Sequence, residues 1–140
     1  MRFWDSSAIV PLFMQEPRSS VVDALLLSDP EITIWWATRT ECLSALARAV
    51  RDGTLRAREE AEARRRALAV IGDTAEIDCS EDVRNQADEL LARYPLSAAD
   101  ALQLGASIAW TRHRPAGFEF VSLDARLRDA AGREGYTVLP

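Results

Sequence analysis

The chain has 140 residues, 48% hydrophobic and 28% charged, with 22 acidic against 17 basic residues and a net charge of −5. This is the balance of an ordinary soluble globular protein, and the length favours one domain, 1–140, with a core that needs no disulfide staples. All 17 basic residues are arginine, which excludes a Walker-A loop and Schiff-base chemistry, and His113 is the only histidine, which excludes multi-histidine metal sites.

In chain order, a short apolar strand over Arg2 to Trp4 ends at Asp5. A helix from about Ser7 carries Ile9, Val10, Leu12 and Phe13 and stops near Pro17. A second helix carries Val21, Val22, Leu25 and Leu26 and ends before Asp29-Pro30. The β-branched and aromatic run Glu31 to Trp36 predicts a strand. Leu43, Leu46, Ala47 and Val50 recur at helical spacing before Asp52-Gly53. A long charged helix over 55–71 and a weak strand over Thr74 to Asp78 follow. Helices over 81–93 and from Ser97 to about Arg112, a strand Phe118 to Leu123, a helix 125–134 and a strand Tyr136 to Leu139 complete the pattern. This alternation predicts a parallel sheet with helices on both faces. No G-x-G-x-x-G follows a strand, and no apolar run nears the ~18 residues of a membrane span. Met1-Arg2-Phe3-Trp4-Asp5 reaches an acid too early for a secretory signal, and Cys42 and Cys79 make neither a disulfide framework nor a zinc pattern. A reduced, cytoplasmic compartment is expected.

Ligands of an open parallel sheet bind beyond the carboxyl ends of its strands. Asp5 and Asp124 each end a strand, Glu41 lies in the first turn after the second strand, and Asp100 opens the helix that begins at Ser97. Each has a purely structural reading: Asp5 and Asp124 as N-caps, and Ser97-x-x-Asp100 and Thr38-x-x-Glu41 as capping boxes. Together they suggest one shared edge. Like charges about 4 Å apart repel by roughly 4 kcal/mol at an effective dielectric of 20, so converging acids take up protons or divalent cations. Oxygen ligands without histidine or thiolate favour Mg²⁺ or Mn²⁺ over zinc. Such an ion suits phosphodiester hydrolysis.

Ser6 and Ser7 are placed to hold a water or a phosphate, with helix capping the preferred role for Ser6. Arg39, Arg112 and Arg114 are candidate phosphate contacts, and Arg64-Arg65-Arg66 among Glu59, Glu60 and Glu62 reads as a charge-paired helix face. His113 reads as a surface or C-cap residue, Cys42 as a buried hydrophobe, and Trp35, Trp36 and Trp110 as core or interface rather than base-stacking platforms. The acidic balance counts against nucleic-acid binding. Haloacid-dehalogenase and receiver chemistries are disfavoured, since position 7 is Ser and no lysine is present. The remaining alternative is a non-catalytic, metal-stabilised interaction module whose acids bind an arginine-bearing partner segment.

Four segments resemble PIN-domain ribonucleases: Phe3-Trp4-Asp5-Ser6-Ser7-Ala8-Ile9, Thr40-Glu41-Cys42-Leu43-Ser44-Ala45-Leu46, Leu96 to Leu104 around Asp100, and Val121 to Leu127 with Gly135 to Leu139. The length and alanine-rich helices are similar to VapC toxins of type II toxin–antitoxin pairs. The resemblance implies a three-layer α/β/α sandwich with a short parallel sheet, metal-dependent cleavage of RNA, a homodimer and a cognate antitoxin. It implies Asp5, Glu41, Asp100 and Asp124 as the catalytic, metal-holding quartet, with Asp5 and Asp100 the direct ligands, Glu41 a ligand or an orienter of water, and Asp124 the most variable position. Gln103 stands where a histidine is frequent, and Trp35-Trp36 is unusually bulky; both bear on the substrate groove.

Overall fold

In the strand β1 (Arg2–Trp4), Phe3 and Trp4 are both fully buried. Successive side chains of a strand point to opposite faces, so both faces of β1 must be covered. The computed structural model, which describes residues 1–140, shows how. β1 pairs in parallel with β2 (Ile32–Trp35) on one side and β4 (Glu119–Val121) on the other. Arg2 lies opposite Ile32, and Phe3 and Trp4 lie opposite Phe120 and Val121. β3 (Ala75–Ile77) and β5 (Thr137–Leu139) flank these pairs, giving a parallel sheet of order β3-β2-β1-β4-β5.

Strand alternation divides the core in two. Phe3, Trp35 and Phe120 face Leu90, Leu104 and Leu127, which come from α5 (Glu81–Arg93), α6 (Ala98–Trp110) and α7 (Ala125–Glu134). Trp4, Ile34 and Val121 face Ile9, Cys42 and Ile71 from α1 (Ser6–Phe13), α3 (Thr38–Arg51) and α4 (Ala57–Gly72), joined by Val22 of α2 (Ser19–Ser28). This is the expected three-layer sandwich. No helix is long and apolar enough to cross a membrane.

The strand order creates the crevice that matters. From β1 the chain moves outward to β2 and β3, then crosses back to β4 on the other side of β1. Such a reversal opens a cleft beyond the carboxyl ends of the two central strands, here β1 and β4. α6 borders this cleft with its first turn, and its seating depends on one residue. A Cβ at Gly105 would stand 2.8 Å from the Val83 carbonyl oxygen and 3.1 Å from the Ala87 nitrogen, so only glycine lets α6 approach the α5 backbone this closely.

Gly105→Ala should therefore destabilise the fold by about 1–3 kcal/mol despite alanine's better helix propensity. Gly72→Ala, at the open end of α4 with nothing within 4 Å of the added Cβ, should be neutral or slightly stabilising. Urea unfolding of the two variants makes the comparison, and equal behaviour would show that α5 and α6 can part without cost.

Candidate active site

Asp5 is the first residue beyond β1. Its N–H donates to the Val121 carbonyl at 2.9 Å, so the β1–β4 ladder continues one residue and pins the side chain in the crevice. The residue is only 3% exposed. Its Oδ2 accepts from the Ser7 hydroxyl, from the Ser7 N–H at 3.2 Å and from the Ser122 hydroxyl at 3.0 Å. Burial pushes the carboxyl up to about 6, the hydrogen bonds to Ser7 and Ser122 oppose the rise, and the charge of Glu41 adds a smaller upward push. Mutual repulsion, the cause expected from the sequence, is thus secondary to desolvation.

The same two hydroxyls hold the other turn of the crevice. Ser7 Oγ accepts from the Leu123 N–H at 2.8 Å, and Ser122 Oγ accepts from the Asp124 N–H at 3.1 Å. Ser7 is therefore committed to Asp5 and the backbone rather than free for a ligand. Ser6 is the first helical residue; the N-cap role falls to Asp5, and the Ser6 hydroxyl stands 3.5 Å from Asp5 Oδ1 and also faces Glu41. Ser122 was not singled out from the sequence. The available signal was a small polar residue between the buried end of β4 and Asp124.

Glu41, in the first turn of α3, is reached from α6. Gln103 Nε2 donates to Glu41 Oε2 at 2.6 Å and to Thr38 Oγ1 at 3.2 Å. Burial raises the Glu41 carboxyl above its ordinary range, Ser6 and Gln103 oppose the shift, and the charge of Asp100 adds to it. The Thr38-x-x-Glu41 capping box does not form. Ala37 is the N-cap, and Thr38 is buried inside the helix with its hydroxyl turned to Gln103. Gln103, expected only to alter the groove, is the bridge that aims Glu41.

Of the other two acids, Asp124 caps its helix, whereas Asp100 is held by the Ser97 N-cap without returning a bond to its backbone. Ser97 Oγ accepts from the Asp100 N–H at 3.2 Å and donates to Asp100 Oδ2 at 2.7 Å. Asp124 Oδ1 accepts from the N–H groups of Arg126 and Leu127, both at 2.9 Å. Asp100 Oδ1 and Asp124 Oδ2 meet no protein donor. In Asp5 both carboxylate oxygens have a protein hydroxyl within 3.5 Å.

All four acids line one open cavity of about 610 Å³, together with Thr40, Ser44 and Arg48 of α3. They share a cavity without forming a tight cluster: no three acidic, histidine or cysteine groups are gathered closely enough to make a preformed metal cage. Each acid is tied to its own donor, and like charges keep their distance. The donor set is carboxylate and hydroxyl oxygen, the type suited to Mg²⁺ or Mn²⁺. Cys42 does not add a thiolate, because burial pushes its thiol up to about 12.

The arginines sort differently from expectation. Arg112 and Arg114 follow the far end of α6, which lies ten residues and roughly 15 Å beyond Asp100. There Trp110 packs edge-on against Phe118 at the entrance to β4, 5.1 Å between centroids. Neither arginine lines the acidic cavity, and nor does Arg39; Arg48 does. Its signal in the sequence was its position seven residues beyond Glu41, on the same helix face. Arg65 and Arg66 pair with Glu62, as the charged helix face requires. His113 is exposed, in a left-handed conformation (φ 61°) and 3.1 Å from Asp82. Trp35 and Trp110 pack in the core, whereas Trp36 is half exposed.

The family model of the PIN domain matches residues 2–133. Among solved structures, VapC20 of Mycobacterium tuberculosis, described as a sarcin-ricin loop cleaving toxin, is similar with a TM-score of 0.69 and 18% identity over 100% of both chains. FitAcB from Neisseria gonorrhoeae is similar with a TM-score of 0.68 and 16% identity, over 100% of this chain and 97% of that one. A toxin–antitoxin complex from Klebsiella pneumoniae is similar with a TM-score of 0.63 and 17% identity, over 90% of this chain and 88% of that one. At these identities the likeness is one of fold. No curated protein sequence matches the chain.

The raised Asp5 carboxyl makes stability depend on pH. Its folded value of about 6 exceeds the ordinary 3.8, so the folded state holds the proton more tightly. The stabilisation is complete below about pH 4 and is lost as pH rises through about 6, amounting to about 3 kcal/mol at 1.36 kcal/mol per unit. In buffer with a chelator, Asp5→Asn should unfold at higher urea than the wild type at pH 7.5 and show a flatter dependence between pH 4 and 6. A steeper dependence in the variant would mean that the carboxylate is not the group under strain.

Proposed function

This chain belongs to the PIN-domain family, and on that premise we propose that it is a metal-dependent endoribonuclease, the toxin of a type II toxin–antitoxin pair. The observation that carries the reading is the convergence of Asp5, Glu41, Asp100 and Asp124, from four separate helix starts, on one cavity beyond β1 and β4. An active-site cavity with four carboxylates and one arginine has an excess of three negative charges and calls for a divalent cation. Asp5, Glu41, Asp100 and Asp124 would hold Mg²⁺ or Mn²⁺. The chemistry such an ion supplies when bound is polarisation of a phosphodiester oxygen and a lowered pKa for attacking water.

The residues of the chain prepare that site. Ser7 and Ser122 hold Asp5 with Oδ2 turned toward them. Gln103 fixes the rotamer of Glu41, and Ser97 that of Asp100. Asp124 is anchored through Oδ1 at the start of α7. Such partners of ligating groups are worth about 10–100-fold in metal affinity or activity in other sites. The excess negative charge is also complementary to an arginine-bearing segment of an antitoxin. For a homodimer, α2 offers a surface: Val22 is its only buried residue, while Leu27 is 86% exposed.

Purified protein incubated with RNA and Mg²⁺ or Mn²⁺ should cleave internally, and Asp5→Asn and Asp100→Asn should each lower the rate by about 100-fold or more. Cleavage that persists in both variants, or in excess chelator, would refute the reading. RNA binding without cleavage, unchanged in both variants, would favour the interaction module instead. Added Mg²⁺ should raise the melting temperature, and more so at pH 7.5 than at pH 5.5, because a proton on Asp5 competes with the ion. A melting temperature indifferent to millimolar Mg²⁺ at both pH values would remove the metal site.

A further inference from the structure

A second cavity, of about 590 Å³, adjoins the acidic one. The two share Ser7, Val10 and Asp124 in their linings, so they form one continuous groove across the carboxyl ends of β1 and β4. Arg48 stands on the wall of the first cavity and Arg18, at the start of α2, on the wall of the second. Both side chains are exposed. Neither forms an ion pair: the arginines paired with side-chain acids are Arg2, Arg65, Arg66, Arg84, Arg93 and Arg133. For Arg48 this is notable, since four carboxylates line the same cavity. Seven residues along α3, roughly 10.5 Å, separate its backbone from that of Glu41.

Each cavity thus carries one arginine, Arg48 in the lining with the four acids and Arg18 in the lining with Glu16 and Asp124. A mononucleotide offers no use for two cations so placed. A polynucleotide does, because phosphates on either side of the scissile one need separate partners, and guanidinium is suited to bidentate phosphate contact. Resting on the nuclease reading above, we propose that an RNA strand lies along this groove, with Arg48 and Arg18 each gripping a backbone phosphate on opposite sides of the acidic site. They act as positioning residues and take no part in bond cleavage. They are the two cationic side chains that line the groove in a chain of net charge −5.

Steady-state cleavage of a single-stranded RNA oligonucleotide with Mg²⁺, across a range of NaCl concentrations, tests the placement. Arg18→Ala and Arg48→Ala should each raise KM several-fold at low salt while kcat stays within about twofold. Each should also flatten the slope of log(kcat/KM) against log[NaCl] by about 0.7, and the double variant by about 1.4. Arg18→Lys and Arg48→Lys should restore the slope, because the charge remains. Arg64→Ala, on the exposed face of α4, should match the wild type. Wild-type KM and slope in both alanine variants, with the wild type active, would overturn the groove and leave the nuclease reading standing. A fall in kcat at unchanged KM would overturn it equally. A wild type that cleaves no RNA would remove the nuclease reading and the groove together.

Discussion

Holding a carboxylate out of water at the end of the central strand is the constraint that organises this molecule. Phe3 and Trp4 commit β1 to the sheet centre, with one side chain in each half of the core. Asp5 follows them at once and has no room to turn toward solvent. Its burial opposes ionisation, and the chain answers with hydroxyl and amide donors rather than a salt bridge. Those donors come from Ser7 and Ser122, so stabilising one carboxylate also ties together the two turns that flank the switch in strand order. A cation in their place would have neutralised the site; hydroxyls hold the acid and leave its charge to be used.

Capping and chemistry are not rival explanations for these acids. Asp5 and Asp124 accept backbone N–H groups at the starts of α1 and α7, and Asp100 is fixed by the cap of its own helix. A helix start presents unpaired donors and a favourable dipole, so it holds an anion in a defined rotamer at small cost. α1, α3 and α7 start at the strand ends because each directly follows a strand of the parallel sheet, whereas α6 follows α5 and brings Asp100 to the same cavity through its packing. Glu41 is the exception that shows the rule. No cap fixes it, and it is held instead by an amide from α6, whose position rests on the close approach at Gly105.

The acidic balance of the chain says little about this groove. Exposed charges further apart than about 8–10 Å are largely screened at physiological salt, so local arrangement outweighs the total. Arg65, Arg66, Arg84 and Arg133 pair with acids of their own helices and contribute little at a distance. The acids concentrate the negative charge in one cavity, and the cations that count are the few placed beside it.

The amino-acid sequence by itself determined the elements and their order. The helices 81–93 and 125–134 are found at their expected residues, and the five strands lie within their expected runs. These features rest on periodicity, turn residues and caps, which act within a few positions along the chain. The four acids were legible for the same reason, since strand ends and helix starts are local. Tertiary structure decided which side chains meet. Gln103 reaches Glu41 across 62 positions, and Ser122 reaches Asp5 across 117. The length of α6 carries Arg112 and Arg114 away from the cavity, while the face of α3 brings Arg48 to it. A hydrogen bond requires its atoms within about 3 Å, and over such separations only the packing of helices on the sheet sets that distance.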